Sequence, residues 1–212
     1  MGLFDKLFGE KNKSENEPPK FTDFISSDKL MDEERFWRII KVTRDNSGND
    51  FEQQPEELAN ELAKLTPDEI ILFGNRFRHF RGQANTWELW GAIYIIHGGC
   101  GDDSFNDFRE WVIGQGKEFY YKTIKNPETL IDVEIGKEWE GLGYVPSTVF
   151  ERLTGKEMPY PYEENFETTG EQWQEDGDDL KKMFPKLYAK YNTRDIGETK
   201  NLNNENQIWD SV

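Results

Sequence analysis

The residues with types and spacing suited to chemistry crowd into one stretch, Asn85 to Gly116, which reads NTWELWGAIYIIHGGCGDDSFNDFREWVIGQG. Asp102 and Asp103 place two carboxylates on a glycine-rich turn, where oxygen ligands could hold a divalent cation. Adjacent side chains point apart, however, and the local sequence identifies no further oxygen ligands. Capping the following helix is therefore their plainer role. Asp107 and Arg109 follow on the next turns, and a guanidinium there is as readily a structural ion-pair partner as a substrate clamp. His97 and Cys100 could be read as base and nucleophile or as metal ligands. Tetrahedral zinc needs more ligands, and the only other histidine is His79. A cysteine nucleophile also needs an orienting group that cannot be read here, so Cys100 is expected to act as a small apolar residue. Gly114-Gln115-Gly116-Lys117 looks like part of a phosphate loop. It fails because Trp111 stands where the first glycine belongs and Glu118 where a magnesium-binding hydroxyl belongs.

The elements that would position these groups read as helices. Trp87 to Ile96 is apolar on every side except Glu88, so other helices must wrap it, and it is too short to span a bilayer. It is expected to be the central helix, with Asn85 or Thr86 capping its start and Gly98-Gly99 its end. Asp102, Asp103 and Ser104 are expected to cap a second helix with Phe105, Phe108 and Val112 on its buried face. Trp87 and Trp90 are candidate ligand-contacting aromatics, against the plainer reading of core packing.

Upstream, a helix is expected from Asp32, burying Phe36, Ile39, Ile40 and Thr43, then another opened by Pro55. Thr66-Pro67-Asp68-Glu69 has the capping-box pattern. The helix it starts carries Ile70, Phe73, Phe77 and Phe80 on one face, with Arg76, Arg78 and Arg81 expected on a solvated face, and Gly82 as terminator. Downstream, helices are expected at Lys117–Lys125, from Asn126 through Val133, near Ser147 to Thr154, and at Asp178–Tyr191, where Pro185 must kink or interrupt the last. No segment alternates apolar and polar residues in the manner of a strand. The expected fold is thus all-α, a compact bundle of about seven helices around a buried central helix, with flexible N- and C-terminal tails.

Of 212 residues, 42 are acidic and 26 basic, a formal net charge of −16. That repels phosphate backbones and argues against nucleic acid as the partner, while a basic protein is the better match. From Tyr160 to Leu180 lie eight acids and no base. Glu163, Glu164, Glu167 and Glu171 are taken as the core of a flexible acidic arm that could contact such a partner. A single cysteine excludes an internal disulfide framework, and with no secretory signal read, a reducing cytoplasm is the expected location. Residues 1–30 are an amphipathic segment and linker. Leu3, Phe4, Leu7 and Phe8 form an apolar edge, but membrane contact through it is the weaker expectation, because few basic residues accompany it and Lys6 breaks the myristoylation pattern. Residues 31–158 form the helical domain, 159–192 the acidic arm and C-terminal helix, and 193–212 a disordered tail.

Several stretches carry a family resemblance: DEERFWRII, the run from Thr86 to Tyr120, and NPETL. They resemble the bacterial domain-of-unknown-function family 4240 over about Met31 to Gly155. Its pattern is a Trp-x-Leu-Trp-Gly-Ala helix, matched by Trp87, Leu89, Trp90, Gly91 and Ala92. A second run follows, matched by Gly98, Gly99, Cys100, Asp102, Asp103, Phe105, Phe108, Arg109, Trp111, Ile113 and Gly116, with Val112 in place of leucine. The resemblance implies a compact helical domain and no particular activity, and it marks Gly98 to Arg109 as the segment to inspect first. The leading expectation is a non-enzymatic acidic protein-binding module, immunity-like or regulatory, without metal or cofactor. The alternative is a metal-dependent or small-ligand-binding enzyme centred on Asp102, Asp103 and Arg109.

Overall fold

The computed structural model describes residues 19–136, 141–174 and 178–191. The segment with Leu3, Phe4, Leu7 and Phe8 and the tail from residue 193 lie outside the described residues. Among the described residues seven α-helices occupy the domain: α1 (Glu33–Asn46), α2 (Gln54–Leu62), α3 (Pro67–Gln83), α4 (Trp87–His97), α5 (Asp102–Gly114), α6 (Lys117–Lys125) and α7 (Val145–Thr154). Two short ones follow, α8 (Asp179–Met183) and α9 (Pro185–Tyr191). Among the described residues there is no strand, and one isolated parallel bridge pairs Thr86 with Thr169. The expected all-α fold is what forms.

Local chemistry sets most boundaries where the sequence places them. The Asp32 carboxylate accepts from the Arg35 N–H at 2.9 Å, closing the start of α1. Thr66 and Glu69 make the reciprocal capping box, with the Thr66 N–H donating to Glu69 at 2.9 Å. Thr86, rather than Asn85, caps α4 by accepting from the Leu89 N–H. Gly98 ends α4 at φ 68°, a left-handed conformation that glycine adopts without steric cost. Pro185 has no N–H to continue a helix, and it separates α8 from α9 while Leu180, Phe184 and Leu187 stay buried.

Other boundaries differ from the sequence reading. The helix expected through Val133 is a 3-10 helix, Pro127–Asp132, closed by the Val133 N–H donating to the Leu130 carbonyl. Gly82 does not end α3, which continues to Gln83. Its missing Cβ serves a close approach instead, since a methyl there would sit 3.2 Å from the Asn165 carbonyl oxygen.

The centre of the bundle is α3. Ile70, Ile71, Phe73, Phe77 and Phe80 are all buried, and α1, α5 and α7 pack around them. The helix α4 is wrapped as its composition requires, but by α8, α9 and the 3-10 helix at one side of the molecule. From Pro67 to Gly82 no residue of α3 is fully exposed. Its polar side chains therefore need partners, because a buried donor without one costs roughly 1–3 kcal/mol. Most find them in two flanking segments. Asn75 donates to the Ser27 and Lys29 carbonyls, and Arg76 to that of Met31. On the other flank the strap, residues 158–174, covers Arg78, His79 and Arg81.

Candidate functional site

The strap is held by backbone and side-chain bonds spread along its length. Asn85 donates from Nδ2 to the Phe166 carbonyl at 3.0 Å, and its own carbonyl accepts from the Thr169 N–H at 3.0 Å. The Trp87 N–H donates to the Thr169 carbonyl, and the Trp173 indole to the Trp87 carbonyl, both at 2.9 Å. His79 Nδ1 meets the Tyr162 hydroxyl at 3.0 Å. Burial, with Arg76 nearby, holds that imidazole below its ordinary pKa, which favours the neutral ring. The expected flexible arm is thus, over residues 160–174, an ordered strap. The correction follows from the polar burden of α3 and from the N–H and C=O groups freed where α3 gives way to α4.

Glu164 is the strap's inward anchor. It accepts from Arg81 Nε at 2.8 Å and Nη2 at 2.6 Å, a bidentate pairing, and from Arg78 Nε at 3.3 Å. Arg81 reaches a second carboxylate, donating from Nη1 to Glu110 at 2.8 Å, whose other oxygen accepts from the Gly143 N–H at 2.7 Å. The Glu110 and Glu164 side chains are 3% and 1% exposed and the two arginines 18%. Burial tends to lower the Arg81 pKa, but the paired carboxylates overcome it and raise the net value. Burial pushes the Glu110 carboxyl up against the pull of Arg81 and the Gly143 N–H. With both oxygens accepting, the carboxylate is the form this geometry fits. Arg109 lies alongside, donating to the Arg81 carbonyl and to Asn106 Oδ1, each at 3.1 Å. Burial, then the neighbouring Arg81 charge, pushes it down to about 10.

Arg78, Arg81, Glu110 and Glu164 form one wall of a cleft of about 370 Å³ between α3, α5, the Gly143–Ser147 corner and the strap. Gly74, Phe77 and Met158 contribute apolar lining. Tyr144, Tyr160 and Phe166 also line it while remaining 59%, 55% and 73% exposed. Among the described residues they are three of the four most exposed large apolar side chains.

The residues singled out from sequence do not converge on this cleft. Asp102 and Asp103 stand exposed in the first turn of α5, whose N-cap is Gly101 with no side-chain bond. Asp102 instead accepts from the Asp103 N–H at 3.0 Å, so the expected carboxylate cap gives way to a local bond and a charge near the helix dipole. Among the described residues no group of three or more histidines, cysteines or acids could hold a metal ion. Trp87 and Trp90 stack at 5.2 Å, Trp90 stacks on Phe105 at 4.9 Å, and the Trp90 indole donates to the Cys100 carbonyl at 2.8 Å. This packing braces the glycine turn. Burial pushes the Cys100 thiol up to about 11, with Asp107 adding to the effect, which leaves little thiolate near neutrality. Of the four acids, Glu163, Glu167 and Glu171 are exposed as expected, and Glu164 is not. Of the arginines on α3, Arg78 and Arg81 do pair with the protein's own acids, but in a buried cluster instead of on a solvated face, while Arg76 donates to the Met31 carbonyl.

The matched sequence settles the family. The chain belongs to DUF4240, a family described as protein of unknown function, which it matches over residues 31–152. No curated protein and no solved structure matches the chain. The family match includes Arg78, Arg81, Arg109 and Glu110, whereas the strap with Glu164 lies beyond it. Among the described residues no helix is long and apolar enough to cross a membrane.

Proposed function

We propose that this domain is a non-catalytic binding module whose strap presents acidic side chains to a basic protein. The observation that carries the reading is the division of the strap into an inward anchor, Glu164, and outward acids, Glu163, Glu167 and Glu171. Acids held on a pinned segment lose less freedom on binding than acids on a mobile tail, so more of the interaction appears as affinity. A net charge of −16 adds long-range attraction for a basic partner and raises the encounter rate. The carboxylates that acid-base chemistry in the cleft would need are already engaged, Glu110 and Glu164 each by a guanidinium. That favours a holding role over a catalytic one.

The test is affinity capture from the native host's lysate at low and high salt, comparing wild type with a Glu163→Gln, Glu167→Gln, Glu171→Gln triple variant. The expected result is a stoichiometric basic protein, identified by mass spectrometry, that is lost at high salt and with the triple variant, while the melting temperature stays near wild type. Equal capture by the triple variant removes the strap acids from recognition.

A further inference from the structure

The cleft behind the strap has an unused binding capacity of one particular kind. Its carboxylates are engaged, but Arg78 donates from Nε alone, and its Nη1 is shielded from water with no acceptor among the described residues. A buried guanidinium N–H without a partner is a standing cost that an arriving oxygen would relieve. The charge count limits what that oxygen can belong to. On the cleft wall Arg78 and Arg81 balance Glu110 and Glu164, and behind them the Arg109 guanidinium is set against the Asp107 carboxylate, which acts on Glu110. A single negative charge on Arg78 disturbs this balance least, whereas a dianion would add twice the repulsion beside two buried carboxylates. The ring of Tyr160 lies 5.2 Å from the Arg78 guanidinium carbon and is exposed enough to swing aside. Phe166 and Tyr144 offer exposed apolar surface on the same cleft. At about 370 Å³ the cleft falls at the small end of ligand pockets, which run from roughly 300 to 1,000 Å³.

We propose that this cleft binds a monocarboxylate carried on a compact apolar body, the carboxylate on Arg78 and the body against Tyr160 and Phe166. The site is separate from the outward acids of the strap, and its test does not depend on their partner. The same chemistry occurs in a small organic acid and in the C-terminus of a peptide ending in an aromatic residue. Lining the cleft with a positive donor and apolar rings selects both against amides and against inorganic phosphate.

Thermal melting of the full chain tests this with phenylacetate, phenylacetamide, inorganic phosphate, and a tetrapeptide ending in phenylalanine as free acid and as amide. A ligand selective for the folded state is expected to raise the midpoint by about 5–10 °C at roughly a hundred times its Kd. Phenylacetate or the peptide acid should do so, the amides should not, and Arg78→Gln should abolish the shift. Which of the two acids acts separates the free metabolite from the chain end. Should Arg78→Gln fail to fold, Phe166→Ala, an exposed site, should weaken the response to the active acid, and the Gly143 amide resonance of wild type should move on addition of that acid. Equal shifts with acid and amide, a shift with phosphate alone, or no shift with either acid would overturn the proposal.

Discussion

Two regions of this molecule make opposite claims on attention. The stretch from the end of α4 into α5, His97 to Asp103, gathers a histidine, a cysteine and two aspartates within seven residues of sequence, yet the two aspartates stand exposed and no metal-holding group forms among the described residues. The Arg81 cluster is invisible as a motif. Its members are separated by 29 residues between Arg81 and Glu110, and by 83 between Arg81 and Glu164. Yet it joins two arginines of the central helix to two buried carboxylates and forms one wall of a cleft. Sequence proximity brings reactive types together in print, while burial determines which of them must satisfy one another. The turn is aromatic scaffolding braced by Trp87, Trp90 and Phe105, and the cluster is where the fold concentrates its electrostatics.

The sharpest way to break this comparison is Arg81→Met. Removing the shared guanidinium leaves Glu164 and Glu110 buried with their strongest partner gone, and breaking a buried ion pair from one side costs about 3–5 kcal/mol. Urea unfolding should show a loss of that order, and the melting temperature should fall by roughly 2–4 °C per kcal/mol. Adding Glu164→Gln and Glu110→Gln should recover part of the loss, because the unpaired charges disappear with their partner. A loss below about 1 kcal/mol would mean that the cluster is no more consequential than a surface ion pair.

Much of this fold could be read from the chain because its signals are local. The capping box at Thr66, the glycine stop at Gly98 and the proline break at Pro185 each act within a few residues, so spacing alone reveals them. What stayed hidden depends on which surfaces meet. Arg76, Arg78 and Arg81 sit at positions that an amphipathic helix would turn to water. Only the docking of residues 19–31 and of the strap leaves α3 without an exposed residue from Pro67 to Gly82. Glu164 had no mark to set it apart from Glu163 beside it, though one faces the core and the other solvent. One signal was available. A helix with phenylalanines at 73, 77 and 80 and arginines interleaved at 76, 78 and 81 has no wide polar face to spare. Glu110, lodged between Arg109 and Trp111 in an aromatic helix, hinted at a matching acid.

A smaller effect should come from the capping box, which tests whether local motifs matter for stability even where they build no site. Burial opposes ionisation, but Glu69 lies below the ordinary carboxylate pKa, first because the Thr66 N–H donates to it and then because Arg35 pairs with it. A folded-state pKa below the unfolded one stabilises the fold above the unfolded value, and the contribution is lost as pH falls through the folded value. Glu69→Gln should therefore destabilise by roughly 1 kcal/mol near pH 7. The gap from wild type should close on acidification below the ordinary carboxylate range. A gap that holds constant down to acid pH would mean that the Glu69 charge contributes nothing.

The smallest effect should come from the most conspicuous residues. In the variant Asp102→Asn with Asp103→Asn, both side chains are exposed, Gly101 already occupies the N-cap, and only a favourable charge near the helix dipole is lost. The melting temperature is expected within about 2 °C of wild type. Calcium, magnesium or manganese should shift wild type and variant alike, because among the described residues neither carboxylate belongs to a group of three or more acids, histidines or cysteines that could hold a metal ion. A stabilisation by one of these ions that the double variant abolishes would restore the turn as a binding site and reverse the ranking of the two regions. A loss as large as that of Arg81→Met would show that the turn holds the fold in a way its exposed geometry does not convey. Parity with wild type leaves the aspartates as helix-start charges, and the aromatic stack beneath them as the reason the turn keeps its shape.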